Sequence, residues 1–289
     1  MILRREVVEK KIKIAVIGLG YLGKFHVTKF NQMDNCNVVA VCDLDATRVS
    51  DSAKDIDNCL QLTDYSSLIG LVDAVSIVTP TVSHFEIARF FISHGVHVFI
   101  EKPMTHTVQQ ARELVELAKT KNAFIQVGFI EQFNPIFLKA KPFISNPLFI
   151  ESIRIAPFSS RSIDVDVVLD LMIHDINLIH SLVGTDIRSI HACSAPVITS
   201  NTDIANVRLE FNSGCTVNFT SSRVSTKTER RLRIFAKNNY VNIDLHQKEC
   251  TVMSLPDNYD GTHTEFSRSL CNNHFSCYSS DPLLSELSH

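Results

Sequence analysis

The chain has 289 residues, which is enough for two domains of about 150 residues each. Hydrophobic residues make up 45% of it and charged residues 20%, the usual proportions of a globular protein. The formal net charge is −3 and no block of Lys and Arg occurs, which argues against nucleic acid as a partner. No apolar run reaches the length of a membrane span, and residues 1–13 lack the apolar core of a signal peptide. We therefore expect a cytoplasmic protein with no membrane partner.

The cysteines indicate a reducing compartment. There are eight, without any CxxC pair, and several lie in apolar, strand-like runs where a reduced cysteine acts as a small hydrophobe. The alternative is a metal site formed by Cys271, His274 and Cys277, but their spacing matches no standard zinc motif. We therefore predict free thiols and no bound metal.

The first half of the chain alternates apolar runs with segments of helical periodicity. The apolar runs are rich in β-branched residues and predict strands at residues 13–18, 38–43, 74–80, 97–103 and 123–129. The segments that follow them predict helices at residues 22–33, 46–55, 83–94 and 108–121. Strands that alternate with helices form βαβ units, so we predict an α/β dinucleotide-binding domain with a mostly parallel sheet over residues 1–130.

The pattern changes near residue 131. The sequence predicts a helix at 133–144, a strand at 148–156, and a long helix at 165–183 that ends at Gly184. Further strands joined by turns are predicted at residues 206–211, 215–220, 231–236 and 241–245. Residues 131–289 are thus predicted to form an α+β domain, in which antiparallel strands pack on helices.

A glycine-rich turn marks the expected nucleotide site. Gly18, Gly20 and Gly23 form a GxGxxG pattern that closes the first predicted strand and opens the first predicted helix. Asp43 ends the second predicted strand, where a carboxylate binds the ribose hydroxyls and repels a 2′-phosphate. The alternative is a glycine-rich turn without a ligand. The combination of strand, helix and acid favours a dinucleotide, and Asp43 favours NAD over NADP.

A polar stripe follows the long predicted helix, which is otherwise apolar. Its members are spaced by three or four residues and fall on one face: Asp166, Asp170, His174, Asn177 and Ser181. Asp170 and His174 lie one turn apart, so the aspartate can orient the imidazole of a general base. The alternative is a solvated helix face with one Asp–His pair.

Lys102 is the second candidate for chemistry. It lies at the carboxyl end of the predicted strand 97–103, the edge at which parallel sheets bind ligands. A lysine there can contact the cofactor or a substrate hydroxyl, whereas the alternative is a surface lysine in a strand-to-helix turn.

Together these motifs resemble the Gfo/Idh/MocA family, the group of glucose-fructose oxidoreductase and the inositol dehydrogenases. From about residue 12 to residue 287 the order and spacing match at the turn 18–23, Asp43, Thr79-Pro80-Thr81 with His84, Glu101-Lys102-Pro103, and DLMIHD at 170–175. The resemblance implies a Rossmann domain followed by a domain with an open, mostly antiparallel sheet. It also implies an NAD-dependent dehydrogenase that acts on a CH–OH group of a sugar or sugar nucleotide and forms a homo-oligomer, a dimer or tetramer.

The resemblance also implies roles for individual residues. His174 is expected to act as the base on a ring hydroxyl, Asp170 to orient it, and Lys102 to position that hydroxyl. The residues expected to bind the cofactor are Gly18, Gly20, Tyr21, Leu22, Gly23, Asp43, Arg48, Thr79, Pro80, His84, Glu101 and Lys102.

Within the family, residues 127–135 and 172–176 are similar to bacterial UDP-N-acetylglucosamine 3-dehydrogenases. Gln132 and Asn177 depart from the Arg and Asp associated with that subgroup. Residues 281–289 are similar to the beginning of a last helix after which the family's chains continue, so we expect a truncated C-terminus. The alternatives are an inositol or simple-sugar dehydrogenase, a biliverdin-type reductase, or a non-catalytic dinucleotide-binding protein disabled by its short C-terminus.

Overall fold

The computed structural model describes residues 11–159, 165–255, 271–278 and 280–289. The described residues divide into two compact units. Unit one contains those up to Gly128 together with Leu283–His289, and unit two contains those from Phe129 to Pro282. Residues 283–289 fall in the predicted second domain, 131–289, whereas their contacts place them in unit one.

Unit one is built on a parallel sheet. Its described strands are arranged in the order β3-β2-β1-β4-β5-β6, and every neighbouring pair is parallel. Their bounds are β1 Ile12–Ile17, β2 Cys36–Cys42, β3 Leu60–Leu62, β4 Ala74–Ile77, β5 His97–Glu101 and β6 Ile125–Gly128. The five predicted strands are confirmed. The additional strand, β3, has only three residues and therefore too short a pattern to recognise in the sequence.

Helices cover both faces of this sheet. They are α1 Tyr21–Asn31, α2 Ala46–Ala53, α3 Thr81–Ser93, α4 Val108–Lys121 and, at the C-terminus, α7 Pro282–Leu287, of which Leu283 onward belongs to unit one. Alternate residues of β1 enter different hydrophobic clusters: Ile14 and Val16 enter one, Ala15 and Ile17 the other. This double burial explains why the strands read as continuous apolar runs.

Unit two contains the larger sheet. Its described strands are arranged in the order β14-β13-β12-β11-β7-β10-β9-β8, and every pair is antiparallel except β7 with β10. Their bounds are β7 Phe149–Ile155, β8 Ile187–Ala195, β9 Ile204–Phe211, β10 Thr216–Ser222, β11 Glu229–Ala236, β12 Asn239–Asp244, β13 Glu249–Ser254 and β14 Cys271–Ser276. The mostly antiparallel second sheet is thus confirmed.

The predicted helices of unit two are corrected by the structure. Instead of one helix at 133–144, α5 spans only Pro135–Ala140, between 3₁₀ turns at Ile130–Phe133 and Lys141–Phe143. The long helix begins with a π-turn at Val168–Met172 and continues as α6, Ile173–Val183. No described helix is both long and apolar enough to cross a membrane.

Candidate active site

Gly18 and Gly20 lie in the turn between β1 and α1, and Gly23 lies in the first turn of α1; each position has a different physical reason for its glycine. A Cβ at Gly18, whose φ is +90°, would lie 2.7 Å from the backbone of Val78 and Thr79. A Cβ at Gly23 would lie 1.9 Å from the carbonyl oxygen of Gly18, so this glycine lets α1 pack on the turn. At Gly20 a Cβ would meet no atom within 4 Å, which leaves its backbone open to a ligand. Tyr21, which is exposed, and Leu22, which is half-buried, begin α1.

Asp43 is tied to this turn from the end of β2. Its Oδ2 accepts the Leu19 N–H at 2.7 Å, and its Oδ1 accepts the Asp45 N–H at 2.9 Å. The half-exposed Arg48 places Nη1 3.9 Å from Asp43 Oδ2 and Nε 3.4 Å from Asp45 Oδ2. The carboxylate therefore lies beside the glycine turn with a guanidinium on its solvent side.

A cavity of about 740 Å³ lies at this edge of the parallel sheet. That volume is within the usual range for a cofactor or ligand pocket. It brings together six of the predicted cofactor residues: Gly18, Gly20, Asp43, Arg48, Thr79 and Pro80. It is also lined by residues that no sequence motif indicated, among them Leu44, Thr63, Tyr65 and Glu86. Thr63 and Tyr65 follow β3, the strand that the sequence pattern did not reveal.

His84 connects two backbone segments of unit one. It is buried in α3, with Nδ1 2.9 Å from the carbonyl oxygen of Pro103 and Nε2 2.8 Å from that of Thr79. These contacts hold the turn after β4 against the segment after β5. The structure therefore gives His84 a clear role in shaping the backbone at Thr79, while direct contact with the cofactor stays a prediction.

Glu101 and Lys102 lie at the carboxyl end of β5, and both are half-buried. Glu101 Oε2 accepts the backbone N–H of Lys102 at 3.3 Å, and Oε1 lies 3.2 Å from Nε2 of His26. His26 was not among the residues singled out in the sequence. Its position three residues after Gly23, on the inward face of α1, was the available signal.

Asp170 and His174 belong to unit two. Asp170 lies in the π-turn and His174 in the first turn of α6, and both side chains are half-buried. The polar stripe does not act as one set. Asp166 Oδ1 accepts the N–H groups of Val168 and Leu169, each at 2.9 Å, and thus caps the helix.

Ser181, the last member of the stripe, donates its hydroxyl to the backbone carbonyl of Leu178. Asn177 accepts an N–H of Gln132 at 2.9 Å with its backbone carbonyl, while its buried side-chain Oδ1 has no hydrogen-bond partner among the described residues. Asp170 and His174 are the candidates for chemistry that the family resemblance implies on this face.

A buried ion cluster fixes the helix that carries His174. Arg154 on β7, 2% exposed, donates from Nη2 to Asp175 Oδ1 at 2.7 Å and from Nη1 to Glu131 Oε1 at 2.9 Å. Burial alone would lower the pKa of the Arg154 guanidinium, but the charges of Asp175 and Glu131 outweigh it and raise that pKa. Arg230 adds a second guanidinium, 3.3 Å from Glu131 Oε1. The cluster joins β7 to α6 next to His174.

Among the described residues, no three His, Cys, Asp or Glu side chains come together as a metal site. The eight cysteines are all free thiols, and His274 Nδ1 lies 3.2 Å from Thr251 Oγ1.

Two family models match the chain, one in each of its two units. Residues 12–129 match the family model described as the oxidoreductase family with an NAD-binding Rossmann fold. Residues 157–241 match the GFO/IDH/MocA C-terminal domain.

Individual relatives agree with these matches. A UDP-N-acetylglucosamine 3-dehydrogenase of Acidithiobacillus ferrooxidans is 35% identical over 255 residues, which are 85% of this chain and 80% of the relative. The solved structure of that organism's UDP-N-acetylglucosamine 3-dehydrogenase GnnA superposes with a TM-score of 0.84, at 31% identity, over 96% of this chain and 87% of the other.

More distant proteins show the same fold or family. A scyllo-inositol 2-dehydrogenase (NAD(+)) of Bacillus subtilis is 26% identical, over 75% of this chain and 69% of the relative. The WlbA dehydrogenase of Bordetella pertussis, solved with NADH and UDP-GlcNAcA, superposes with a TM-score of 0.74 at 18% identity, covering 82% and 74% of the two chains. The chain therefore belongs to the GFO/IDH/MocA family of NAD-binding oxidoreductases.

Proposed function

We propose that this chain oxidises a ring hydroxyl of a sugar nucleotide to a ketone, and that the hydroxyl is the 3-hydroxyl of UDP-N-acetylglucosamine. The observation that carries the proposal is the 35% identity to a UDP-N-acetylglucosamine 3-dehydrogenase over 85% of this chain. The candidate catalytic residues Lys102, Asp170 and His174 lie within the motifs that resemble the family.

The features of unit one fit an NAD molecule. The backbone at Gly20 is open, as close approach of a pyrophosphate requires, and Asp43 stands at the edge of the 740 Å³ cavity, where it can accept ribose hydroxyls. Arg48, Thr79 and Pro80 line the same cavity. NAD supplies the hydride acceptor. The chain's own part is to bind the dinucleotide, orient its nicotinamide through Glu101 and Lys102, and remove the hydroxyl proton.

Proton removal is assigned to His174. Its imidazole takes the proton of the substrate hydroxyl as the C–H hydride leaves, so the alcohol loses one proton and one hydride and becomes a ketone. The Lys102 ammonium donates a hydrogen bond to the same oxygen and places it for the transfer. Asp170, four residues before His174, orients the imidazole and stabilises its protonated form.

The test is turnover by the purified protein and two variants. With UDP-N-acetylglucosamine and NAD we expect NADH to form, and we expect His174→Ala and Lys102→Met to lower kcat by roughly 10²- to 10⁴-fold. NADH affinity, measured in parallel by cofactor fluorescence, should change little in His174→Ala. Near-normal turnover by His174→Ala would refute the assignment of the base.

Inositol or simple-sugar oxidation is the second candidate. It is favoured by the inositol dehydrogenases among the relatives and by Gln132 and Asn177, which depart from the sugar-nucleotide subgroup. A panel containing myo-inositol, scyllo-inositol, glucose and biliverdin beside the sugar nucleotides separates these activities. NADH binding without turnover of any member would instead favour a non-catalytic dinucleotide-binding protein.

Cellular location and assembly are part of the same proposal. Eight free thiols support a reducing compartment, and we assign the protein to the cytoplasm. We also assign self-association to the outer face of the eight-stranded sheet. That face presents a row of aromatic side chains, with ring centroids of Phe149 and Phe235 5.9 Å apart and those of Phe235 and Tyr240 4.9 Å apart. Half-exposed aromatic rings on one sheet face suit a self-complementary interface.

A further inference from the structure

Two polar side chains of unit one are completely buried although neither belongs to the proposed machinery. His26 on α1 and Ser76 on β4 are each 0% exposed. His26 Nδ1 lies 3.0 Å from Ser76 Oγ, and its Nε2 lies 3.2 Å from Glu101 Oε1. The three side chains form a line from the interior of the sheet to the carboxyl end of β5.

The two ring nitrogens of His26 face different partners. Nδ1 lies at hydrogen-bond distance from the Ser76 hydroxyl, whereas Nε2 makes a close contact with Glu101 Oε1 that lacks the alignment of a hydrogen bond. A serine, histidine and acid in a row also occur in hydrolases, but a serine without exposed surface cannot reach a substrate. We therefore expect Ser76 and His26 to act on the Glu101 carboxylate and not on a substrate.

The Glu101 carboxylate is confined on three sides. His26 approaches Oε1, and the backbone N–H of Lys102 donates to Oε2 at 3.3 Å. The third side is Gly128, where an added Cβ would lie 2.8 Å from Oε1 and 3.1 Å from Oε2. The missing side chain at residue 128 thus makes room for this carboxylate in one position.

Packing alone does not account for a histidine at this place. The imidazole lies edge-on to Phe30 and Phe99, with centroid distances of 6.3 and 5.5 Å. A phenylalanine or leucine would suit such aromatic neighbours without the cost of burying polar atoms. Nδ1 has a partner in Ser76, whereas Nε2 is buried, has no hydrogen-bond partner among the described residues and lies 3.2 Å from Glu101 Oε1, which points to a task for this contact.

We propose that His26 is a positioning residue for the proposed dehydrogenase reaction. Supported by Ser76, it holds the Glu101 carboxylate over Gly128, and Glu101 in turn fixes Lys102 and the nicotinamide end of the bound cofactor. This inference rests on the proposed function. One part of it holds whatever the substrate is: the Nε2 contact of His26 determines where the Glu101 carboxylate lies.

Two substitutions separate the two ring nitrogens. In His26→Gln the amide nitrogen reaches the place of Nε2 and can still contact Glu101, whereas in His26→Asn it reaches only the place of Nδ1, beside Ser76. Both variants bury an amide, so their folding penalties are similar. Phe30→Leu, on the same inward face of α1, controls for loss of packing without touching Glu101.

We expect His26→Gln to keep kcat within about 3-fold of the wild type and His26→Asn to lower it roughly 10- to 100-fold, since small misplacements of reacting groups have effects of this size. The NADH dissociation constant should change by less than about 3-fold in both, because the glycine turn and Asp43 hold the other end of the cofactor. In a Glu101→Gln background, His26→Asn should add little further loss. Equal turnover of the Asn and Gln variants, or an equal loss in Phe30→Leu, would overturn the proposal.

If the wild type binds NADH but oxidises no compound of the panel, the proposed function fails, and crystal structures of the two variants decide about His26. The Glu101 carboxylate should keep its place in His26→Gln and move in His26→Asn. A carboxylate that stays in place in both would overturn the positioning role.

Discussion

Asp43 is the residue that we expect to determine which dinucleotide unit one accepts. Its carboxylate lies beside the glycine turn, and Arg48 places a guanidinium 3.9 Å from it. The negative charge opposes a 2′-phosphate, while the guanidinium could bind one if that charge were absent. We therefore expect the negative charge of Asp43 to outweigh the positive charge of Arg48 in selecting the dinucleotide.

Asp43→Ser should therefore narrow the preference for NADH over NADPH by on the order of 10-fold or more, because it removes a like charge from beside the phosphate. The two dissociation constants are measured by cofactor fluorescence in wild type and variant. Asp51→Ser is the control, since it changes net charge equally but lies on the exposed part of α2 and outside the cavity lining. Tighter binding of NADPH than of NADH by the wild type would contradict the role given to Asp43.

At the scale of the element, the helices, strands and turns with strong local sequence signals could be predicted. The glycine turn, the strand before it and α4 are examples, and α4 spans Val108–Lys121 as predicted because Thr107 and Gln110 form a capping box at its start. β8 escaped prediction because its residues are exposed on both faces, so no alternation marks it. The π-turn escaped because a segment that is apolar around most of its circumference looks the same for either helical geometry.

The ion cluster on β7 and α6 could not be predicted from sequence spacing either. Arg154, Glu131 and Asp175 lie far apart in the chain, and only the packing of β7 against α6 brings them together. For Glu131, burial acts to raise the pKa, but Arg154 and Arg230 outweigh it and hold the pKa below its usual value. A depressed folded-state pKa means that this carboxylate stabilises the fold above its unfolded pKa, and that the contribution is lost as the pH falls through the folded pKa.

Arg154→Met should destabilise unit two by about 3–5 kcal/mol at neutral pH, because it leaves two buried carboxylates without their main partner. The loss should shrink as the pH falls, because burial without Arg154 raises the pKa of the Glu131 carboxyl in the variant, which then binds a proton, while the wild type loses the contribution of this carboxylate as the pH falls through its depressed pKa. Urea unfolding followed by circular dichroism at several pH values measures both effects.

Arg233→Met provides the matched control on the same sheet. Arg233 is 37% exposed and pairs with Glu151 on the outer face, so its loss should change the free energy of unfolding by no more than about 1 kcal/mol. An equal and pH-independent loss of unfolding free energy in the two variants would show that the buried cluster stabilises unit two no more than the exposed Arg233–Glu151 pair does.

At the scale of the whole molecule, the outer face of the eight-stranded sheet leads to a test of assembly. Light scattering at micromolar concentration should show a dimer or tetramer. Phe235→Glu, which places a charge among the aromatic rings, should shift the protein toward the monomer. Phe124→Glu is the control, because Phe124 is exposed in unit one. A wild-type monomer at these concentrations would contradict the proposed interface.

The chain passes from unit one to unit two after Gly128 and returns with α7, so the stability of the nucleotide-binding unit depends on residues at the far end of the sequence. Leu287 packs against the cluster that includes Ile14 and Val16 of β1, and Gln126 Nε2 donates to the carbonyl oxygen of Glu286 at 3.2 Å. Leu283 is 7% exposed. A helix of six residues does not persist by itself in water, so these contacts hold it in place.

Leu283→Ala should therefore lower the stability of unit one by about 2–5 kcal/mol, the usual cost of truncating a buried leucine. Hydrogen exchange read strand by strand distinguishes the units: amides of β1 and β6 should exchange faster, and those of β7 and β10 should be unchanged. Val115→Ala, on the exposed side of α4, should leave both sets as they are. A helix that packs on the parallel sheet can protect only the strands it covers. Faster exchange confined to β7 and β10 would therefore contradict the claim that α7 stabilises unit one.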